Sequence, residues 1–209
     1  MRAYGAPPEP RHLPPVDELV LTILSQNTSD VNRDRAYADL RRRYPTWSAV
    51  MRAPGRSIAT AIRRGGLGLT KAPRIKATLR SLVEQGVSLD EPRALADRRD
   101  DDLWTMLVGL PGVGPKTAAC VLLFSLDRPY FPVDTHVHRV SIRLGLVGGR
   151  ATAVQAQAAL QQKVPPELVY ALHMGLIRHG RAVCVARRPL CSECVLLDLC
   201  PQVGVTDPR

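Results

Sequence analysis

The chain has 209 residues, enough to bury a sizeable core in one domain or in two small ones. Lys and Arg number 29 against 19 Asp and Glu, a net charge of +10 that favours a polyanionic partner: DNA or RNA first, an anionic membrane second. No apolar run is long enough to span a membrane, and residues 1–15 lack the apolar core of a signal peptide. We therefore expect a soluble cytosolic protein, in which five cysteines favour a metal or cluster over disulfides.

The predicted elements are helical from the start. An irregular, proline-rich arm of residues 1–15 precedes an apolar helix from Asp17 to Gln26, which is too uniformly apolar for a surface element. Residues 25–30 are polar, end that helix and contain an N-cap for the next. That next helix, Val31–Tyr44, carries several arginines on its polar face.

The remaining elements follow the same period. After two short helices at Thr46–Met51 and Arg56–Arg64, the glycines of residues 65–69 break the pattern. A helix at Lys71–Gln85 then places four apolar residues inward: Ile75, Leu79, Leu82 and Val83. Further helices are predicted at Asp101–Val108, Lys116–Leu126, Thr135–Leu144, Thr152–Lys163 and from Pro165-Pro166 towards His179-Gly180. No alternating strand pattern competes with them, so the predicted fold class is all-α.

The most informative stretch is residues 110–118, where a tight Gly-x-Gly turn joins two helices. Gly112 and Gly114 allow positive φ and a close backbone approach, and the second helix starts with unpaired N–H groups. Those groups and the helix dipole form an anion site that suits a DNA phosphate. Lys116 lies in the first turn, where the dipole disfavours a cation and so favours the neutral amine that a nucleophile requires. Taken alone, the pattern also fits a simple corner between two helices with a solvated lysine.

Asp134 follows Lys116 by eighteen residues and precedes another predicted helix. An aspartate in that position is often only the N-cap of the helix that it precedes. A carboxylate can also stabilise a positive charge that develops on a sugar, or remove the proton of an attacking lysine. The two roles can coexist in one side chain.

Four of the five cysteines fall within seventeen residues near the end of the chain. Structural zinc usually takes two closely spaced cysteine pairs, and only one such pair occurs here, whereas four thiolates in one short loop suit an iron–sulfur cluster. Cys120 lies in an apolar helix and is interpreted as core packing. The four candidate ligands are Cys184, Cys191, Cys194 and Cys200.

Together, the turn with Lys116, the following Asp134 and the cysteine loop resemble the helix-hairpin-helix and Gly/Pro-Asp signature of the endonuclease III family of DNA glycosylases. The resemblance extends from about Val16 to Cys200. It implies a helical glycosylase fold with a 4Fe–4S cluster, acting as a monomer on double-stranded DNA that contains damaged bases or abasic sites. The implied activity is base-excision repair of oxidised pyrimidines with lyase activity at abasic sites, in the cytoplasm and, in a bacterium, at the nucleoid.

The resemblance also implies roles for individual residues. Lys116 would form a Schiff base and Asp134 would assist it as the second catalytic residue. Gln26 would fill the space left by an extruded base, while Leu67 would wedge the opposite strand or, alternatively, be a partly buried loop leucine. His136 would orient Asp134 or a phosphate unless it is a core histidine. The expected DNA-binding residues are Gln26, Leu67, Gly112, Gly114, His136, Arg187 and Arg188.

The expected organisation is a central helical domain, residues 16–128, and a second lobe of residues 1–15 and 129–209. The second lobe would carry Asp134 and the cluster loop 184–200, with the active site in the cleft between the two.

Two departures from the family pattern concern the reading of the base. Val108 stands where many bacterial members carry Glu, and Gly68 and Leu69 stand where the wedge loop usually has aromatic and polar residues. Two alternatives therefore remain: a monofunctional glycosylase, whose known examples lack a lysine at position 116, and a non-catalytic DNA-binding module.

Overall fold

The computed structural model describes residues 4–10 and 12–209, and within them the protein is built from α-helices and short 3-10 turns without a β-strand. The predicted all-α class is therefore confirmed. No helix of the described residues combines the length and the apolar character that crossing a bilayer requires. The α-helices are α1 (Pro15–Ser25), α2 (Asp30–Arg43), α3 (Trp47–Arg52), α4 (Gly55–Ala61), α5 (Gly68–Glu84), α6 (Asp100–Gly109), α7 (Pro115–Leu126), α8 (Thr135–Arg143), α9 (Ala153–Lys163) and α10 (Val169–Ala182).

The chain divides into two compact units. One is Arg11–Arg128, and the other combines Met1–Pro10 with Pro129–Arg209. The first unit thus begins at residue 11, where the sequence had suggested 16. Helices α1–α7 belong to the first unit, and α8–α10 belong to the second.

The first unit is organised around α1. Leu19, Val20, Ile23 and Leu24 are completely buried, as the uniformly apolar sequence predicts. Helix α1 packs against α7, α2 and α5, so its apolar side chains are covered on several sides rather than along one stripe. Burial of a side chain of this kind stabilises the fold by about 1.5–3 kcal/mol. The position of the loop that follows α1 is therefore set by the core of this unit.

The ends of α5 differ from the prediction. Leu67 adopts the left-handed conformation at φ +51°, and the backbone N–H of Lys71 donates to its carbonyl at 2.8 Å, so the helix already begins at Gly68. Ile75, Leu79 and Leu82 are completely buried, as predicted. The inward placement of Val83 was wrong: this side chain is 44% exposed, because it lies at the margin of the stripe that the other three form.

The second unit contains the helix that follows Asp134. Helix α8 packs against α10 and α9. The start of α9 is fixed by a reciprocal pair of hydrogen bonds between Thr152 and Gln155, a capping box. The last helix begins as a 3-10 turn at Pro166–Leu168 and becomes α-helical only at Val169, later than the two prolines suggested.

Candidate functional site

The turn between α6 and α7 has the geometry that its glycines predict. Gly112 has φ +77°, a conformation that strains any residue with a Cβ. The N–H of Val113 donates to Leu110 O at 3.1 Å and closes the turn, and both of these side chains are buried. A Cβ at position 112 would overlap the side chain of Arg74, so glycine is required here by close approach as well as by φ.

The start of α7 has no side-chain cap. Gly114 is its N-cap residue and Pro115 is its first residue, which itself carries no N–H. The N–H groups of the first turn of a helix have no acceptor within the helix, and the dipole adds positive potential around them. A phosphate or another anion is the natural partner of such an end. Lys116, the second residue of α7, is partly buried next to this end.

The four lysines of the chain differ in what their amines bind. Lys71 donates to two backbone carbonyls, Lys76 to Ala53 O and Lys163 to Leu146 O. Within residues 4–10 and 12–209, the amine of Lys116 has no hydrogen-bond or ion-pair partner. Its amine is therefore the one lysine amine available to a ligand in the described part of the chain.

Asp134 is the N-cap of α8. Its Oδ1 accepts a hydrogen bond from the backbone N–H of Val137 at 2.8 Å, so the capping role considered for this residue is real. The cap fixes the orientation of the carboxylate and uses one of its two oxygens. The side chain is partly buried. Asp134 can thus cap a helix and still present an oxygen to a reacting group.

His136 is held by a different neighbour. Its Nδ1 lies 3.3 Å from a terminal nitrogen of Arg139, which also donates to Gly180 O at 2.7 Å. Because Arg can only donate, Nδ1 is the acceptor in this contact. The partly buried ring therefore takes its orientation from Arg139.

Gln26 and Leu67 occupy the ends of two loops in the first unit. Gln26 is the C-cap residue of α1, and its Oε1 accepts a hydrogen bond from Arg74. The Leu67 side chain is 54% exposed, so it is not the partly buried leucine of the alternative interpretation, and Leu69 is 78% exposed. Two apolar side chains at one helix start are thus left in solvent.

The glycine beside Leu67 has a packing reason. A Cβ on Gly68 would lie 2.7 Å from Ala59 O, closer than real contacts allow. Gly68 therefore permits close contact between the start of α5 and the end of α4, and flexibility is not needed to explain it. Val108, the other departure, is partly buried near the end of α6.

The four clustered cysteines line one cavity in the second unit. Arg143 donates to the Sγ of Cys184 at 3.4 Å, and the N–H of Leu196 donates to the Sγ of Cys194 at 3.4 Å. Burial, followed by the negative charges of the other three cysteines, raises the pKa of the Cys191 thiol. Bound iron would offset this repulsion among four thiolates.

The donor set fits an iron–sulfur cluster. Among the described residues, no three His, Cys, Asp or Glu side chains are grouped closely enough to hold a single metal ion, whereas a four-iron cluster is larger and takes four separate thiolates. Cys120 is buried in α7 and is part of the core, as predicted.

The loop between Cys184 and Cys191 carries two exposed arginines. Arg188 has φ +50° and forms an ion pair with Asp207 at 3.3 Å, in which both side chains are largely exposed. Exposed pairs of this kind contribute little to stability, so Arg188 could exchange its partner for a phosphate. Arg187 is exposed on the same loop.

Sequence reasoning passed over two basic residues that contact these loops, Lys71 and Arg74. A lysine at the start of a helix is usually solvated, yet Lys71 is only 2% exposed. The one available signal was their spacing, because positions 71, 74 and 78 fall on one face of α5.

Comparison with known proteins was made for the whole chain. Residues 20–166 match the model of the HhH-GPD superfamily of base excision DNA repair proteins, and residues 184–200 match the iron-sulfur binding domain of endonuclease III. A protein of Arabidopsis thaliana is 38% identical over 195 residues, covering 92% of this chain and 63% of its own length. Endonuclease III of Thermotoga maritima is 36% identical over 186 residues, covering 89% of this chain and 82% of its own.

The solved structures give the same result. An endonuclease III trapped as a covalent intermediate with DNA superposes with a TM-score of 0.80 at 30% identity, covering 95% of this chain and 88% of the other.

Proposed function

Because the chain belongs to the HhH-GPD superfamily of base excision DNA repair proteins, we propose that it is a bifunctional DNA glycosylase with lyase activity at abasic sites. The proposed substrates are duplexes that carry oxidised pyrimidines or ready-made abasic sites. The observation that supports a lysine nucleophile is the state of the four lysine amines. Lys116, which directly follows the glycine turn, has the only one without a partner in the described residues.

The reaction assigns one step to each catalytic residue. The neutral Lys116 amine attacks C1′ of the sugar, forms a C–N bond and displaces the base, whose glycosidic bond breaks. The resulting imine acidifies the hydrogens at C2′. Loss of a C2′ proton then expels the 3′ phosphate oxygen, and the strand breaks by β-elimination. Hydrolysis of the imine releases the lysine.

Asp134 has two possible contributions to the same reaction. Its carboxylate can accept the proton that the Lys116 ammonium must lose before it attacks. It can also stabilise the positive charge that develops on the sugar as the base departs. The cap on Val137 supports either role, because it fixes the carboxylate before the substrate binds.

We assign Cys184, Cys191, Cys194 and Cys200 as the ligands of the 4Fe–4S cluster that this family carries. When bound, the cluster supplies a rigid cross-link, which would hold Arg187 and Arg188 in place for phosphates. Cys200→Ser should remove most of the iron from protein purified under anaerobic conditions, whereas Cys120→Ser, the matched change in the core, should leave it unchanged. Equal iron in both variants would contradict the ligand assignment.

Reductive trapping with borohydride tests the lysine mechanism. The unmodified protein should become covalently attached to a duplex with an abasic site, because borohydride reduces the Schiff base. Lys116→Gln should abolish this product while binding to a stable abasic analogue is largely retained. Lys163→Gln is the matched control, since it makes the same change at an exposed lysine.

The possible outcomes separate the three functions. Base excision without trapping indicates a monofunctional glycosylase. Binding without excision or cleavage indicates a non-catalytic DNA-binding module.

A further inference from the structure

One face of α5 connects the three segments to which DNA contacts are assigned in the first unit. Its residues at positions 71, 74 and 78 each contact a different loop outside the helix. These positions share one face because they are separated by three and four residues. The contacts join the loop after α1, the loop before α5 and the glycine turn before α7.

Lys71 links the backbones of the first two loops. Its buried Nζ donates to Leu24 O at 2.7 Å and to Gly65 O at 2.9 Å. Leu24 lies two residues before Gln26, and Gly65 lies two residues before Leu67. Burial, and to a smaller extent the charge of Arg74, lowers the pKa of Lys71. The two carbonyl contacts nevertheless satisfy most of its donors, so one amine ties together the loops that carry both strand-penetrating residues.

Arg74, one turn further along α5, contacts the Gln26 side chain itself. One of its terminal nitrogens donates to Oε1 of Gln26, and its aliphatic carbons lie against Gly112. In the next turn, Thr78 Oγ1 donates to Pro111 O at 2.9 Å. Helix α5 therefore sets the position of Gln26 relative to the glycine turn.

We propose that Arg74 is a positioning residue that holds the Gln26 amide in the orientation needed to fill the gap in DNA. This inference rests on the proposed function. Arg has only donors, so the Gln26 atom that faces it must be the oxygen, and the amide NH₂ remains to donate to acceptors on DNA bases. A glutamine that is already oriented loses less conformational entropy when it enters the duplex than a free one does.

The proposal differs from a purely structural role in one measurable respect. If Arg74 acts through Gln26, removal of the Arg74 donor should have no further effect once the Gln26 side chain has been removed. A structural contribution to the fold would instead persist in both backgrounds. A double-mutant cycle distinguishes the two.

The variants are Arg74→Met, Gln26→Ala and the double change. Methionine keeps a stem against Gly112 but removes the donor. Arg80→Met is the control, because it makes the same change at an exposed position of the same helix. The measurement is the affinity of the holoprotein for a duplex with a tetrahydrofuran abasic analogue, divided by its affinity for the undamaged duplex. This ratio removes the general loss that accompanies a missing positive charge.

Arg74→Met should lower the ratio by about tenfold, as expected for one hydrogen bond from a charged donor. Gln26→Ala should lower it at least as much, and the double variant should equal Gln26→Ala. Arg80→Met should leave the ratio unchanged. Independent losses that multiply in the double variant, or an unchanged ratio in Arg74→Met, would overturn the positioning role.

The same experiment keeps the two proposals apart. If the unmodified protein binds the analogue no better than undamaged DNA, the proposed function fails. If it discriminates but shows no coupling between Gln26 and Arg74, the proposed function stands and only the positioning role fails. Circular dichroism and thermal unfolding of each variant identify any loss of fold. Arg74→Lys, which retains a donor of different geometry, should recover part of the ratio.

Discussion

Two helix starts carry the candidate catalytic residues, and they are built in opposite ways. Helix α7 begins at Gly114 and Pro115 without a side-chain cap, and Lys116 follows. Helix α8 begins at Asp134, which supplies its own anion to the N–H of Val137. The first start leaves its positive end to an external anion, whereas the second has already satisfied that end from within the chain.

The difference shows that a cap does not exclude a functional role. At α7, the missing cap is useful because a DNA phosphate can take its place. At α8, the cap is useful because it fixes the carboxylate, and a fixed group needs less reorganisation during a reaction. A bond that stabilises a helix can therefore also prepare a side chain for catalysis.

The largest effect is expected from Asp134→Asn. Asparagine caps a helix about as well as aspartate, so the fold and the α8 start should be retained. Base excision should nevertheless slow by about 100- to 1000-fold, because a charge contact to the transition state is lost. Single-turnover excision from a duplex with one oxidised pyrimidine measures the change.

Asp134→Ala separates the two roles of this side chain. It should lose the same catalytic contact and, in addition, about 1 kcal/mol of stability from the missing cap. A lower midpoint of thermal unfolding than that of the Asn variant, with similar excision, would show that the roles are separable. Full activity of the Asn variant would mean that Asp134 is a cap alone.

An intermediate effect is expected when α7 is given the cap that α8 has. Gly114→Asp places a carboxylate at the N-cap, where a Cβ meets no atom within 4 Å and where φ of −101° suits any residue. The helix should gain a few tenths of a kcal/mol. Affinity for damaged and undamaged duplex should both fall by about tenfold, because the new carboxylate competes with and repels the phosphate.

Gly114→Ala controls for the loss of glycine, and it should change affinity far less than the aspartate does. The slope of binding affinity against salt should also become shallower by about one phosphate contact in the aspartate variant. Unchanged binding by Gly114→Asp would show that no phosphate occupies this helix start.

The sequence was sufficient for features that depend on local chemistry. The apolar helix α1, the N-cap before α2 and the left-handed Gly112 all follow from residue type and period, and the structure confirms them. Val83 was wrong because periodicity does not state how wide the covered stripe is. The exposure of Leu67 depends on a left-handed residue that no rule predicts for leucine.

Long-range contacts could not be predicted in the same way. Arg74 and Gln26 are 48 positions apart, and nothing local to either residue indicates that they meet. Burial of Lys71 likewise depends on two carbonyls in distant loops. The pairing of Lys116 with Asp134 in one reaction stays a prediction, because it comes from the resemblance of two separate segments.

The smallest effect is expected at Val108, near the end of the helix that leads into the uncapped start of α7. Chemistry of Lys116 at the sugar requires no reading of the base, whereas holding a flipped base requires polar partners that Val108 lacks. The unmodified protein should therefore cleave ready-made abasic sites faster than it excises thymine glycol. Val108→Glu should raise excision by about threefold, the contribution of one partly exposed hydrogen bond, and leave lyase activity unchanged. Val108→Gln, which adds an amide of the same length without the charge, should give part of the gain if hydrogen bonding is the cause. Both rates are measured in single turnover on duplexes that differ only at the lesion. Equal rates on the two substrates in the unmodified protein would show that base reading does not limit excision, and that Val108 is only a packing residue of α6.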